Sequence, residues 1–273
     1  MADITRTWTR GLVEIEGNEI VLYAKNAKPY SLFEDPEQHE RLLMDLAGLR
    51  NLGAIVGGRI LNSHIKNQPL AEEFARWHGL LWHQMGGDDS RETWQSWLVA
   101  GYKLSRTIGL YMKLKEAIDM ESTESLRSFL RATRDTRNAS GRIPDGDRDI
   151  LEHVSGEIAT LVSKGLEGCS PTIIAASSLE RGNGKKEGPA GDFRSSIDPS
   201  NLVAVAYYEL VAQIESKAWF KQCIGCGELF RMKPGFHRDR AYCEDACYER
   251  TRKSEERAKK REQARTRRAS TVQ

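Results

Sequence analysis

The pattern of apolar and polar residues along the chain is mainly that of amphipathic α-helices. Apolar side chains that recur every three or four residues predict a helix, because they place one stripe on one side of it. Such stripes predict six helices. The first starts near Pro36, the second follows Pro69 and the third carries Trp94 to Met112; the other three cover residues 126–134, 147–163 and 202–214.

Turn and capping residues predict the ends of several helices. Gly86 and Gly87 are predicted to end the helix that follows Pro69, because glycine is the commonest residue just past a helix. Asp198 and Pro199 form a capping residue and a first-turn proline, and they predict the start of the helix that continues to Ile214. A further helix is predicted over residues 54–65.

Strand signals are few and short. Residues 12–16 and 19–23 alternate in part and flank a two-residue Gly-Asn turn, which predicts a β-hairpin that must pack on helices or join other strands. Residues 171–176 and 193–197 predict two more strands, and a glycine- and lysine-rich loop is predicted at 181–190. The predicted fold is α+β, predominantly α, with a helical N-terminal domain that carries a few short strands.

Two close cysteine pairs lie near the C-terminal end. Cys223 and Cys226 are followed by Cys243 and Cys247, with sixteen residues between Cys226 and Cys243. Four thiolates at this spacing predict one tetrahedral Zn²⁺ site, and a full shell leaves no position for a substrate water, so the zinc is expected to be structural. Two disulfides or four unrelated thiols are the alternatives, and His237 is an alternative ligand.

The cysteine spacing also predicts local structure. A glycine after the second cysteine suits a tight knuckle, and the i, i+4 spacing of the second pair places both thiols on one side of a helix. Knuckle, hairpin and helix form a treble-clef-like zinc finger. We therefore expect two domains, 1–217 and 218–273. The fifth cysteine, Cys169, is expected to be a buried or unreactive thiol.

The charge of the chain is unevenly distributed. From Lys221 to Gln273 there are fifteen Lys and Arg residues against eight Asp and Glu, a net charge of +7. The whole chain carries +2, so the 220 residues before Lys221 carry −5. This asymmetry indicates a polyanionic partner for the C-terminal domain, and nucleic acid is the common one.

Most of the positive charge lies after the last cysteine, in a stretch with almost no apolar residue. Its residues favour a helix, and a basic helix held by a zinc module can lie in a major groove. Arg250 and Arg252 lie close to the zinc-fixed start and are the best candidates for base contacts. Interleaved glutamates indicate the alternative, a solvated charged tail. The predicted nucleic-acid contacts are Arg238, Arg240, Arg250, Arg252, Lys253, Arg257, Lys260 and Arg261.

The C-terminal part resembles the CGNR zinc-finger family. The matching residues are the Cys223/Cys226 knuckle, Phe230, the run Arg240-Ala241-Tyr242-Cys243, and the basic stretch after Cys247. The family motif Cys-Gly-Asn-Arg reads Cys247-Tyr248-Glu249-Arg250 in this chain, so its Cys and Arg are kept and its Gly and Asn are replaced.

The resemblance implies a larger N-terminal ABATE-like domain, and members of the family are described as stress-induced transcription regulators. It implies that the N-terminal domain senses a small ligand or a protein, or mediates homodimerisation. We therefore predict a zinc-containing regulator that binds duplex DNA. A protein-interaction module with a purely structural zinc, and an RNA-binding protein, are the alternatives.

No constellation of catalytic residues is evident in the sequence, and we expect no enzymatic activity. The Gly-Asn-Gly-Lys-Lys stretch at 182–186 lacks the first glycine and the Ser or Thr of a phosphate-binding loop. No apolar run reaches the roughly 20 residues of a membrane span, and no signal-peptide core is present, so we expect a cytoplasmic protein with no membrane partner.

Overall fold

The computed structural model describes residues 7–23, 25, 28–31, 36–56, 59–61, 64–82, 90–133, 143–175, 193–227, 229–232 and 240–270. These residues form seven α-helices and eleven short strands, and every strand pair is antiparallel. The predicted class, α+β and predominantly α, is confirmed. The chain divides into two compact units, Met1–Ser216 and Lys217–Gln273.

The first unit contains fifteen of these elements. In chain order they are β1 (Thr7–Arg10), β2 (Glu14–Glu16), β3 (Glu19–Leu22), β4 (Lys28–Ser31), α1 (Pro36–Gly48), β5 (Ile55–Val56), β6 (Arg59–Ile60), α2 (Gln68–His78), β7 (Ser90–Thr93), α3 (Trp94–Asp119), α4 (Glu124–Thr133), α5 (Asp147–Gly165), β8 (Cys169–Ala175), β9 (Phe193–Pro199) and α6 (Leu202–Glu215). Strand β1 pairs with β4, β5 with β6, and β8 with β9, while β2, β3 and β7 form one sheet.

Helix α3 is the centre of the first unit. It is 26 residues long and contacts α1, α4, α5 and α6. The predicted stripe is confirmed, because Trp94, Trp97, Leu104 and Ile108 are all fully buried. The ring of Trp97 packs edge-on against Phe74 of α2, with their centroids 5.2 Å apart. Burying a large side chain of this kind contributes about 1.5–3 kcal/mol, so this stripe supplies much of the stability of the unit.

The predicted hairpin is confirmed, and it joins a third strand. Strand β3 pairs with β2 on one side and with β7 on the other. Glu92 of β7 is buried, and its carboxylate accepts hydrogen bonds from the backbone N–H groups of Leu81 and Trp82 and from Nε1 of Trp97. A buried carboxylate is tolerated only with such partners. It therefore fixes the segment after α2 against the sheet and the central helix.

The predicted helix over residues 54–65 is wrong. Ile55 and Val56 form β5, and this strand pairs with β6. The β-branched side chains of Ile55, Val56 and Ile60 favour strand, and the two glycines between the strands disfavour helix.

The predicted end of α2 at Gly86 and Gly87 is also wrong, since the helix ends at His78. Gly79 takes φ +82°, which favours glycine, and its N–H donates to the carbonyl of Ala75. Leu81 fits the helical spacing of apolar residues, but it lies after the end of the helix. It is apolar because it is buried beside Glu92 in a non-helical segment. Residues 83–89 lie outside the described part of the chain.

The predicted start of the last helix of this unit at Asp198 and Pro199 is wrong by a few residues. Both belong to β9, which pairs along its length with β8 and confirms the two predicted strands. Helix α6 begins at Leu202, because the side chain of Asn201 accepts a hydrogen bond of 2.8 Å from the N–H of Ala204. The predicted loop at 181–190 lies outside the described residues.

The second unit contains two strands and one long helix. These are β10 (Trp219–Gln222), β11 (Leu229–Met232) and α7 (Asp245–Ser270). Strand β10 pairs with β11, and α7 is 26 residues long. Among the helices described in either unit, none has a stretch both long and apolar enough to cross a bilayer.

Candidate metal centre and basic helix

The first cysteine pair lies in the turn of the β10–β11 hairpin. Cys223 follows β10 directly, and its carbonyl accepts a hydrogen bond of 2.9 Å from the N–H of Gly227. Gly227 takes φ +75°, and its own carbonyl is held at 2.8 Å by the side-chain amide of Gln222. The chain therefore folds back tightly around Cys226. The knuckle forms the hairpin turn itself, whereas the sequence predicted a knuckle followed by a hairpin.

The second cysteine pair lies at the start of α7, but only one member is in the helix. The helix begins at Asp245, so Cys247 lies in its first turn and Cys243 lies two residues before it. The prediction that both are helical is wrong, because Arg240 holds the chain in a bend. Its guanidinium donates to the carbonyls of Tyr242, at 2.8 Å, and Cys243, at 2.5 Å.

The four thiols meet at one point. Their Sγ atoms all lie within 4.8 Å of one another, and the pairs Cys223–Cys247 and Cys226–Cys243 are 3.4 and 3.7 Å apart. None of the four forms a disulfide. Four ligands at a Zn–S distance of about 2.3 Å in a tetrahedron would lie about 3.8 Å from one another. The donor set and its spacing therefore fit one tetrahedral metal ion.

Without a bound cation the cluster does not favour four thiolates. Burial opposes ionisation of Cys223, but hydrogen bonds from the backbone at Cys226 and Cys243 and from neighbouring thiols lower its pKa to about 6. The hydrogen bond to Cys223 raises the pKa of Cys247 to about 11, and burial raises that of Cys243. Ionisation of Cys223 is thus favoured, while the hydrogen bond and burial keep protons on Cys247 and Cys243, so four thiolates would form only around a bound cation.

The thiol cluster also forms part of the buried core of the second unit. Cys223 and Cys247 are buried together with Phe230 and Met232 of β11, and Trp219 and Tyr242 pack around them. Two of these four buried side chains are metal-ligand candidates. The candidate metal ligands are therefore packed directly against the apolar side chains of the hairpin.

Gly225 is a site residue that the sequence reasoning missed. A Cβ atom added there would collide with Oγ1 of Thr251 and lie 2.8 Å from Sγ of Cys247. Thr251 is held in place, since its hydroxyl donates to the carbonyl of Cys247 at 3.0 Å. The absence of a side chain at Gly225 lets the knuckle approach α7. The glycine between the two cysteines of the first pair was the available signal.

Helix α7 carries the predicted basic residues. The six at its described positions, Arg250, Arg252, Lys253, Arg257, Lys260 and Arg261, are all exposed. Arg252 donates to the carboxylates of Glu249, at 2.9 Å, and Glu256, at 3.4 Å. Arg240 is half-buried and is engaged with backbone carbonyls, while Arg238 and His237 lie outside the described residues. Of the predicted contacts at described positions, Arg252 and Arg240 therefore already engage partners within the protein.

Comparison with known proteins found no match. No protein-family model matches the chain. No curated protein matches it. No solved structure matches it. Functional inference therefore depends on the geometry of this chain.

Proposed function

We propose that the second unit binds one structural Zn²⁺ through Cys223, Cys226, Cys243 and Cys247, and that α7 then binds duplex DNA. The observation that carries the proposal is the position of the thiol cluster. It lies at the start of a 26-residue helix whose exposed charged side chains, where the structure describes them, are mostly cationic. Zinc is the metal that four thiolates in a tetrahedral arrangement favour.

The zinc supplies folding energy and a fixed position for the helix. With four sulfur ligands its shell is full, so it offers no site at which a substrate could be activated. Cys223 and Cys226 would hold the hairpin turn on the metal, and Cys243 and Cys247 would hold the start of α7. The helix has almost no apolar side chains after Tyr248, so it needs this anchor to be held against the rest of the unit.

DNA is the polyanion that the helix fits best. A helix of this length spans about 39 Å, which is longer than one turn of B-DNA, roughly 34–36 Å. Its cations can neutralise phosphates and release counterions, and such binding weakens steeply with salt. The remaining part of the proposal is that the protein controls transcription and that the first unit senses a ligand or protein, or mediates dimerisation. That part rests on the resemblance to the CGNR family alone.

The test has a metal arm and a DNA arm. Freshly reduced protein should hold one zinc per chain; Cys226→Ala should lose it and Cys169→Ala should keep it. Zinc-loaded protein should bind random-sequence duplex DNA with an affinity that falls linearly with salt on logarithmic axes. Stronger binding to structured RNA would favour the RNA-binding alternative. Binding to an acidic peptide but not to DNA would favour the protein-interaction module.

A further inference from the structure

The exposed cations of α7 are not evenly distributed around the helix. At 3.6 residues per turn, five of them fall within an arc of roughly 100°. We call this arc the basic face, and its members are Arg250, Lys253, Arg257, Lys260 and Arg261. Arg252 and Lys259 are also exposed, but they lie more than about 120° from the middle of that arc.

Two glutamates lie at the right spacing to pair with lysines of the basic face, but they bind an arginine outside it. Glu249 and Glu256 lie four residues before Lys253 and Lys260, the spacing at which helical ion pairs form. Both carboxylates instead accept hydrogen bonds from Arg252, at 2.9 and 3.4 Å. Among the side chains that the structure describes, no carboxylate therefore pairs with the basic face.

The metal site leaves the basic face open. The side of α7 that approaches the knuckle carries Cys247 and Thr251, as their closeness to Gly225 shows. The basic face begins at Arg250, within one turn of Cys247, and every member of it is exposed. Its start is therefore fixed by the metal ligand, while its side chains remain available to a partner.

We propose that the basic face is a phosphate-binding surface that lies along the backbone of duplex DNA and does not read its bases. This inference rests on the proposed function and specifies how the helix meets DNA. From Arg250 to Arg261 the face spans about 17 Å. Over that distance each strand of a duplex carries roughly five phosphates, so all five cations can be neutralised by one stretch of backbone. The face contains no Asn or Gln, the residues that pair with adenine, and its Arg and Lys residues, which can pair with guanine, are assigned to phosphate because one stretch of backbone can neutralise all five.

Two adjacent lysines give a matched test. Lys260 lies on the basic face and Lys259 lies outside it, yet both are exposed, equally charged and one residue apart. Full-length, zinc-loaded Lys260→Gln and Lys259→Gln variants are titrated against two unrelated short duplexes across a salt series. Lys260→Gln should reduce the slope of log affinity against log salt by about 0.9, while Lys259→Gln should leave it unchanged. A triple variant, Lys253→Gln/Arg257→Gln/Lys260→Gln, should reduce it by about 2.7 on both duplexes.

The possible failures are distinguishable. Equal changes of slope in Lys259→Gln and Lys260→Gln would show that cations on and off this face contribute alike to DNA binding, and would overturn the inference alone. A loss that differs between the two duplexes would show base reading and would overturn the sequence-independence. Absence of salt-dependent binding by the wild type would overturn the proposed function itself. Zinc content and circular dichroism of each variant confirm that the anchored helix is intact.

Discussion

Gly225 and Cys247 are in such close contact that the knuckle and the first turn of α7 can accommodate no side chain between them. A Cβ atom at Gly225 would lie 2.8 Å from Sγ of Cys247, closer than real Cβ contacts. The same atom would collide with the hydroxyl of Thr251, which is hydrogen-bonded to the carbonyl of Cys247. The geometry of the metal site therefore depends on a position that supplies no ligand.

Gly225→Ala should weaken zinc binding although all four cysteines remain. Accommodating the methyl group must move the knuckle or the start of α7, and overpacking of this kind costs about 1–3 kcal/mol. The measurement is competition for zinc with a chromophoric chelator. Gly156→Ala is the control, because a Cβ there meets no atom within 4 Å in the middle of α5, and alanine should favour the helix. Equal zinc affinity of Gly225→Ala and wild type would refute the close contact.

Arg240→Lys should also weaken zinc binding, even though the charge is kept. The guanidinium of Arg240 bridges the carbonyls of Tyr242 and Cys243, and a single ammonium group is less able to hold both in this geometry. Hydrogen bonds from a charged donor contribute about 1.5–3 kcal/mol. The control is Arg250→Lys, which should keep both zinc and DNA affinity. If Arg240 acts only on phosphate, as the sequence predicted, Arg240→Lys will retain zinc affinity.

Removal of the metal should unfold the second unit and leave the first folded. Cys223 of the hairpin and Cys247 of α7 are buried together, so the second unit loses the cross-link between hairpin and helix, whereas the first unit packs around α3. Metal binding supplies on the order of 10 kcal/mol in modules of this kind. A chelator should lower the helical circular dichroism of the full chain but not that of a chain truncated after Ser216. An unchanged spectrum after verified zinc removal would contradict this dependence.

The parts of the fold that were predictable are those in which large apolar residues alone determine the element. The stripe of α3 is the best example, since Trp94 to Met112 can bury only as a helix against other helices. The end of α2 was not predictable in the same way, because Leu81 is buried by the loop that Glu92 holds. The pairing of β1 with β4 depends on a partner about twenty residues away and has no local signal.

In the candidate site, too, features encoded by nearby residues were predictable and features that depend on the folded structure were not. The spacing of Cys223, Cys226, Cys243 and Cys247 is local information, and the structure brings their sulfur atoms together. The partner that a side chain binds, in contrast, cannot be deduced from the neighbouring residues in the sequence. The engagement of Arg240 with carbonyls therefore could not be separated, from sequence, from a contact with nucleic acid. In the same way, Glu249 and Glu256 each have more than one cation three or four residues away, and only the structure shows which one they bind.

Arg252 has a structural role that predicts an indirect effect on DNA binding. Its guanidinium holds the carboxylates of Glu249 and Glu256 away from the basic face. In Arg252→Gln both carboxylates are released, and each can pair with the lysine four residues later, Lys253 or Lys260. The variant should therefore weaken DNA binding without removing any phosphate contact.

The size of this effect follows from the energy of helical ion pairs. Two i, i+4 pairs at roughly 0.2–0.5 kcal/mol each compete with phosphate, which corresponds to a loss of affinity of about two- to fivefold. The loss should vanish when Arg252→Gln is combined with Glu249→Gln and Glu256→Gln, and this non-additivity is what a mutant cycle measures. DNA affinity at fixed salt is measured for all combinations. An equal loss in the presence and absence of the two glutamates would show instead that Arg252 contacts DNA itself.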